Sequence, residues 1–120
     1  MSVHLSPPHT ERAAQVKLHT ASLRVPVGDA LTSHKSANKL LCVLARAEAD
    51  AAGTEEALLL NGRGEIAEAT SANVFWLEGE TLHTPPISAG ALPGITRADV
   101  LAWSRANEIP THETIVEPAR

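Results

Sequence analysis

The residues best suited to chemistry fall in three short stretches of the sequence. Lys35 lies in the segment SHKSANKLL, and the chain has only two other lysines, Lys17 and Lys39. A lysine amine that has lost its proton is a nucleophile towards carbonyl carbon. From this segment alone, Lys35 fits an ordinary surface charge equally well, so the choice depends on the rest of the chain.

Glu68 is the second candidate, because a carboxylate interrupts an apolar alternating pattern. In the segment EIAEAT, Ile66, Glu68 and Thr70 would share one face of a strand, so an inward Ile66 predicts an inward Glu68. A buried carboxylate is costly unless a cation or good hydrogen-bond donors meet it. An exposed strand face is the alternative, and this segment alone favours that alternative.

The third candidate is the segment GITR, which runs from Gly94 to Arg97 and leads from a loop into a predicted helix. Backbone N–H groups at a helix N-terminus form a natural site for phosphate, and the hydroxyl of Thr96 could add to it. An ordinary capped helix start explains the same residues. The linker TSAN, residues 70–73, follows Glu68 and on its own fits a bulge or turn.

The order of these groups carries more information than any one of them. Pyridoxal phosphate requires three groups in its binding site: an amine, a carboxylate and a phosphate cup. A lysine forms a Schiff base with it. A carboxylate keeps its pyridine nitrogen protonated, so that the ring can act as an electron sink. A helix N-terminus holds its phosphate.

The elements that must position these residues have an α+β pattern, with a mostly antiparallel sheet and two helices. Residues 1–14 predict a loose arm. Strands are predicted in QVKLHTASLRV (15–25), ALLL (57–60), EIAEAT (65–70), NVFWL (73–77), TLHTP (81–85) and IPTHETIV (109–116), with tight turns at NGRG and EGE. The ALLL run is typical of a strand buried on both faces.

Two helices are predicted between these strands. The first begins near Ser36 and ends at Gly53; its apolar stripe is Leu40, Val43, Leu44, Ala47 and Ala51. The second is TRADVLAWSRANE, residues 96–108, with Thr96 and Asp99 in capping-box positions. Cys42 lies beside the first stripe and is predicted to be in the core.

Composition narrows the function classes. The chain has 120 residues, a formal net charge of −4 and scattered basic residues, which disfavours nucleic acid and anionic membranes as partners. The six histidines and the single cysteine show no metal-ligand spacing, so no metal site is predicted. No signal-like or membrane-spanning run is present in the sequence, so a cytoplasmic location is the expectation.

A family resemblance now appears. The stretch from HKSANKLL through EATSANVFW, followed by ALPGITR, resembles the class IV aminotransferases, the fold type IV pyridoxal-phosphate enzymes. That family includes branched-chain aminotransferases, D-amino acid aminotransferases and 4-amino-4-deoxychorismate lyases. The resemblance covers about residues 16–117 and implies that residues 15–120 are part of a cofactor-binding C-terminal domain.

The resemblance also implies a role for each matched residue. Lys35, with Asn38 in the Lys-x-x-Asn pattern, matches the Schiff-base lysine, which also shuttles a proton between the substrate and the cofactor. Glu68 matches the carboxylate that pairs with the pyridine nitrogen. The remaining cofactor contacts are the segment along the cofactor edge, the residue against the ring and the phosphate cup: Ser71, Ala72, Asn73, Leu92, Gly94, Ile95 and Thr96.

The subgroup follows from two weaker features. Lys39 stands where branched-chain enzymes often carry a tyrosine, and the ANVFW run is more similar to the lyases. A lyase would eliminate pyruvate and leave 4-aminobenzoate, on the route to folate. A branched-chain or D-amino acid transaminase is the alternative.

The length of the chain raises a further alternative. Family members carry a whole N-terminal domain before the matched region and a further segment after it, so we expect an internal fragment. The last alternative is therefore a truncated, non-catalytic remnant. The resemblance implies a small-molecule amino substrate, and a homodimer for the full-length parent.

Overall fold

The computed structural model describes residues 16–28 and 39–118 of the chain. The predicted loose arm, the predicted helix start near Ser36, and both Lys35 and Asn38 lie outside the described residues. The elements are β1 (Leu18–Val25), α1 (Leu40–Ala51), β2 (Glu56–Asn61), β3 (Ile66–Ala69), β4 (Trp76–Glu78), β5 (Thr81–Thr84), a 3₁₀ turn (Ile87–Ala89), α2 (Ile95–Ala106) and β6 (Thr111–Glu113). The α+β class predicted from the sequence is confirmed.

The strands form two small mixed sheets. The first sheet has the order β1-β2-β3 and the second the order β4-β5-β6. Each sheet combines one antiparallel hairpin, β2–β3 or β4–β5, with one parallel pair, β1–β2 or β5–β6. A parallel pair needs a long crossover connection. In the described part of the chain, α1 lies in the crossover of the first sheet and α2 in that of the second.

The main core lies between α1 and the first sheet, and small side chains dominate it. Its buried members are Ala21, Val25, Ala45, Ala49, Ala57, Leu59 and Ala67. Alanine on both the helix and the strands lets the helix backbone approach the sheet closely. Every residue from Ala57 to Asn61 is buried, which confirms that ALLL forms a strand covered on both faces.

Helix α1 presents a different face to the sheet from the one its apolar stripe predicts. Leu40, Val43 and Leu44 are 62%, 60% and 47% exposed, respectively, whereas Ala45 and Ala49 are fully buried. Leu41 and Cys42 are partly buried against the core. Cys42 therefore contacts the core, as predicted, but is only partly buried. The face of α1 that packs on the sheet contains Leu41, Ala45 and Ala49. The face with the small side chains packs on the sheet because small side chains allow a close approach.

The β2–β3 hairpin forms where the NGRG segment predicts it, but with different turn chemistry. The left-handed backbone conformation falls on Gly64, at a φ of +83°, and not on the Asn-Gly pair. Asn61 instead remains in the strand, fully buried, and its side-chain oxygen accepts hydrogen bonds from the backbone N–H groups of Arg63 (2.8 Å) and Glu65 (3.1 Å). Its side-chain amide donates to the carbonyl of Ala89 at 3.0 Å, which ties the hairpin to the 3₁₀ turn.

Candidate functional site

Glu68 is buried, and a bulge in β3 is what directs it inward. Leu59 pairs with Glu68 across the hairpin, whereas the next residue of β2, Leu60, pairs with Ile66. Ala67 is therefore an extra residue on β3, as in a β-bulge. Because residues directly opposite each other share a face, Glu68 lies on the face of Leu59, the core side of the sheet. Glu68 is 9% exposed, so the exposed face that the segment alone favoured is wrong and the inward position is correct. Ile66 and Glu68 are nevertheless on opposite faces, and not on one face as alternation predicted.

A backbone N–H group meets the buried carboxylate. The N–H of Leu92 donates a hydrogen bond to Oε2 of Glu68 at 3.0 Å. Leu92 lies in the loop between the 3₁₀ turn and α2, so this bond joins the first sheet to the start of the second helix. A donor of this kind favours the ionised carboxylate and offsets part of the cost of burying it.

Asn73 makes the second connection to the same loop. Its side-chain amide donates to the carbonyl of Leu92 at 3.1 Å. Gly94 packs so closely on this side chain that a Cβ atom added at residue 94 would lie 2.8 Å from Oδ1 of Asn73. A side chain at residue 94 would therefore force Asn73 or the backbone to shift. The φ of Gly94, −70°, is open to any residue, so the constraint here is one of space. The contacts bring Glu68, Asn73, Leu92 and Gly94 together, as the predicted site requires.

Helix α2 begins at this loop, and among the described residues its N-terminus has no side-chain cap hydrogen bond. Its N-cap is Gly94, and no side-chain hydrogen bond caps it, so the predicted capping box of Thr96 and Asp99 is wrong. The helix begins one residue earlier than predicted, which places Thr96 inside the first turn. The first intrahelical bond shown there is from Ala98 N to the Gly94 carbonyl. The preceding N–H groups, which include those of Ile95 and Thr96, form the positive end of the helix dipole.

The side chains of Ile95 and Thr96 are both exposed, with Ile95 at 83%. In this arrangement an anion at the helix start would meet backbone N–H groups and the Thr96 hydroxyl from the solvent side. The geometry fits the predicted phosphate cup, whose chemistry is hydrogen-bond donation to an anion.

The turn after Glu68 places Ser71 and Ala72 differently from Asn73. The hydroxyl of Ser71 donates to Oε2 of Glu56 at 2.5 Å, and the hydroxyl of Thr70 donates to the other oxygen of the same carboxylate. The carbonyl of Ala72 accepts a hydrogen bond from the N–H of Ala69 at 2.9 Å. Both Ser71 and Ala72 are exposed. Their predicted position along a cofactor edge stays a prediction.

Arg97 and Glu56 are the charged residues near the site that the sequence analysis did not single out. Arg97 is 6% exposed; its Nη2 donates to the carbonyl of Pro85 at 3.2 Å and lies 3.0 Å from Oε1 of Glu113. These contacts fix the first turn of α2 to β6 and to the residue after β5. A signal for both residues existed in the sequence, since each is a charge at the edge of an apolar or motif segment.

The thiol of Cys42, on α1, senses the charge of Glu68. Burial, followed by the negative charge of Glu68, raises the pKa of Cys42, while Lys39 acts in the opposite direction. Lys39 itself is exposed at the N-cap of α1. It lines an open groove of about 420 Å³ together with Cys42, Val43, Arg46, Ala47, Asp50 and Thr70. Lys39 therefore lies on the α1 side of the site.

Residues 16–28 and 39–118 contain neither a candidate metal site nor a membrane-spanning helix. Within these ranges, histidine, cysteine and acidic side chains form no group of three or more that could hold a metal ion. In the same part of the chain, neither helix is long and apolar enough to span a membrane.

Comparison with known proteins identifies the family. The model of the amino-transferase class IV family matches residues 1–120. The chain belongs to this family. Aminodeoxychorismate lyase of Vibrio harveyi is 33% identical over 88 residues, which are 73% of this chain and 32% of that protein. Branched-chain-amino-acid aminotransferase of Salmonella typhimurium is 33% identical over 79 residues, 66% of this chain and 26% of that protein.

The fold is also that of solved class IV aminotransferases. The branched-chain amino acid aminotransferase of Thermobaculum terrenum superposes with a TM-score of 0.80 at 30% identity, covering 88% of this chain and 35% of that one. That structure is a holo form containing pyridoxal phosphate, so the cofactor predicted from the sequence is confirmed for the family. The chain thus spans about a third of the length of the relatives it matches.

Proposed function

We propose that this chain forms part of the pyridoxal-phosphate site of an enzyme that acts on a small amino substrate. One observation carries the proposal: the buried carboxylate of Glu68 is joined through Leu92 to the uncapped N-terminus of α2. The hydrogen bond to Leu92 thus places the Glu68 carboxylate close to a helix N-terminus that can bind an anion. Few ligands need both, and pyridoxal phosphate is one of them.

The described residues fit this cofactor at both of its polar ends. Bound pyridoxal phosphate supplies an electron sink for the carbanion that forms when a bond to the substrate Cα breaks. Glu68 would hold a proton on the pyridine nitrogen, because an ionised carboxylate favours the protonated partner. The N–H groups of Ile95 and Thr96 would bind the phosphate, with Gly94 keeping the backbone close to Asn73.

Lys35 would supply the amine. In this proposal its amine would hold the cofactor and, with the substrate bound, would move a proton to and from the substrate Cα. A lysine that carries a proton back and forth must be neutral part of the time, and a nearby cationic group lowers its pKa.

For the reaction type, we propose elimination of pyruvate from 4-amino-4-deoxychorismate, and the relative from Vibrio harveyi that is named aminodeoxychorismate lyase supports this proposal. Lys39 and the ANVFW run favour this reaction. A transaminase acting on branched-chain or D-amino acids is the alternative, favoured by relatives such as the Salmonella enzyme. Because the chain spans about a third of these relatives, a non-catalytic remnant is the third candidate.

The cofactor proposal is tested by trapping. The purified chain is incubated with pyridoxal phosphate, reduced with borohydride and analysed by peptide mass spectrometry. We expect the reduced adduct on Lys35, its loss in Lys35→Arg, and its retention in the matched control Lys39→Arg. Equal labelling of Lys17, Lys35 and Lys39 would show only unspecific reaction of exposed amines and would contradict the assignment.

The reaction type needs a separate assay on the same preparation. Pyruvate release from 4-amino-4-deoxychorismate is compared with 2-oxoglutarate-dependent transamination of branched-chain and D-amino acids. Faster pyruvate release supports the lyase, since specificity is a difference between rates for competing substrates. Transamination without pyruvate release supports the alternative. Specific trapping on Lys35 with neither reaction supports the remnant.

A further inference from the structure

The carboxylate of Glu56 collects hydrogen bonds from the turn that follows Glu68. Glu56 is the first residue of β2, and its side chain is 13% exposed. One carboxylate oxygen accepts from the Thr70 hydroxyl and, at 2.8 Å, from the backbone N–H of Ala57. The other accepts from the Ser71 hydroxyl at 2.5 Å. Both hydroxyls of the turn are therefore directed at one carboxylate.

The charge state of Glu56 suits this role. Burial alone would raise its pKa, but the hydrogen bonds from Ser71, Thr70 and Ala57, with the charge of Arg46, outweigh burial and hold the pKa below its ordinary value. Arg46 lies on α1, with Nη1 at 3.8 Å from Oε2 of Glu56. Cys42 is the other titratable group on α1 that senses this carboxylate. An ionised carboxylate can only accept hydrogen bonds, so both hydroxyls must donate to it.

Backbone bonds alone leave this turn partly defined. The N–H of Thr70 donates to the carbonyl of Ala57 at 3.1 Å, and the N–H of Ala69 donates to the carbonyl of Ala72 at 2.9 Å. These bonds close the turn but do not set the direction of the two hydroxyl-bearing side chains. The Glu56 carboxylate sets that direction. The two side chains that it holds, Thr70 and Ser71, lie between Glu68 and Asn73 in the sequence.

We propose that Glu56 is a positioning residue of the site: its carboxylate holds the Thr70 and Ser71 hydroxyls and so fixes the turn between Glu68 and Asn73. This inference rests on the proposed function, because the turn matters only if its residues border a ligand. Glu56 itself touches no ligand in this proposal; it acts through Thr70 and Ser71.

The test is Glu56→Gln, with Glu55→Gln as the matched control. Both variants remove one negative charge from adjacent residues, but Glu55 is exposed and its carboxylate accepts from the backbone N–H of Lys17 at 2.8 Å. At neutral pH we expect the dissociation constant for pyridoxal phosphate to rise about tenfold in Glu56→Gln, a loss of about 1.4 kcal/mol, and to stay unchanged in Glu55→Gln. Equal affinity in the two variants would overturn the proposal.

Two further measurements separate positioning from general stability. Because the pKa of Glu56 is lowered in the folded state, its contribution is present above the unfolded-state pKa and lost as the pH falls through the folded-state pKa. The gap in folding equilibrium constant between the wild type and Glu56→Gln should therefore close at low pH. In a Thr70→Val/Ser71→Ala background, Glu56→Gln should have little further effect on affinity; a full additional tenfold loss there would contradict action through the hydroxyls.

The proposal remains testable if the chain binds no pyridoxal phosphate, in which case the proposed function fails for this chain by itself. Amide hydrogen exchange of residues 70–73 then reports the turn directly. We expect faster exchange there in Glu56→Gln than in Glu55→Gln, and partial protection in Glu56→Asp, which keeps the charge on a shorter side chain. Identical exchange in all three variants would overturn the positioning role.

Discussion

At the residue scale, the site depends on a close approach between Gly94 and Asn73. The amide of Asn73 is held by its bond to the Leu92 carbonyl, so its oxygen cannot retreat from a side chain at residue 94 without losing that bond. A net contribution of about 1 kcal/mol is typical for such a bond. The contact therefore fixes the distance between the turn after β3 and the start of α2.

Gly94→Ala tests this contact, with Gly62→Ala as the control. Both substitutions reduce the entropy of the unfolded chain in the same way. A Cβ atom at residue 62 meets nothing within 4 Å, whereas one at residue 94 lies 2.8 Å from Asn73. We expect Gly94→Ala to be less stable than Gly62→Ala by about 1–2 kcal/mol in denaturant unfolding. Equal stability would show that Asn73 moves aside without cost.

Residue-scale predictions depended on patterns that a bulge can break. Strict alternation places Ile66 and Glu68 on one face, and the bulge at Ala67 places them on opposite faces. The burial of Glu68 was predictable from the family resemblance, because the segment alone favoured an exposed strand face. Its partner was not predictable, since Leu92 donates through its backbone, which carries no mark in the sequence.

At the element scale, α1 shows why periodicity alone does not fix which face of a helix packs. Leu40, Val43 and Leu44 repeat at helical spacing and yet are exposed, while Ala45 and Ala49 are buried. Periodicity located the helix and Gly53 its end, but the facing surface of β1 and β2 is itself rich in buried alanine and decides the rotation of the helix.

Substitutions on the exposed face of α1 should destabilise the protein less than substitutions on its buried face. Val43→Gln changes an exposed side chain, so we expect the free energy of unfolding to change by less than about 0.5 kcal/mol. Ala45→Val adds two methyl groups where the side chain is fully buried, and overpacking of this kind costs about 1–3 kcal/mol. Denaturant unfolding of both variants checks the rotation. A larger loss for Val43→Gln than for Ala45→Val would contradict it.

At the scale of the whole molecule, hydrogen bonds tie the first sheet to segments that precede α2 or follow β6. The Glu68–Leu92 bond is one tie, the Asn61–Ala89 bond is another, and the N–H of Ile66 donates to the carbonyl of Val116 at 2.8 Å. The class of fold followed from the order of strands and helices in the sequence. The parallel pairs did not, because they join segments far apart in the chain and leave no local signal.

The pH dependence of stability is a property of the whole molecule. Hydrogen bonds from Ser22 lower the pKa of Glu48, and Arg63 with Asn61 lowers the pKa of Glu65. Since these pKa values are lowered in the folded state, their stabilisation is present above the unfolded-state pKa of about 4.3 and is lost as the pH falls below it. At pH values below about 4.5, we expect the denaturant concentration at the unfolding midpoint to decrease. The decrease should be less steep in the double variant Glu48→Gln/Glu65→Gln. A midpoint that rises on acidification would contradict this.

The topology of the two sheets also sets the order of events during folding. The hairpins β2–β3 and β4–β5 close short loops, whereas the parallel pairs must bring Leu18 to Glu56 and Leu82 to Thr111. Local pairs form within microseconds, and the entropy of long loops delays the distant ones. The bond between Glu68 and Leu92 spans 24 residues and joins β3 to the loop before α2. We therefore expect Glu68 to be in place early on its hairpin and the loop that carries Leu92 to reach it afterwards.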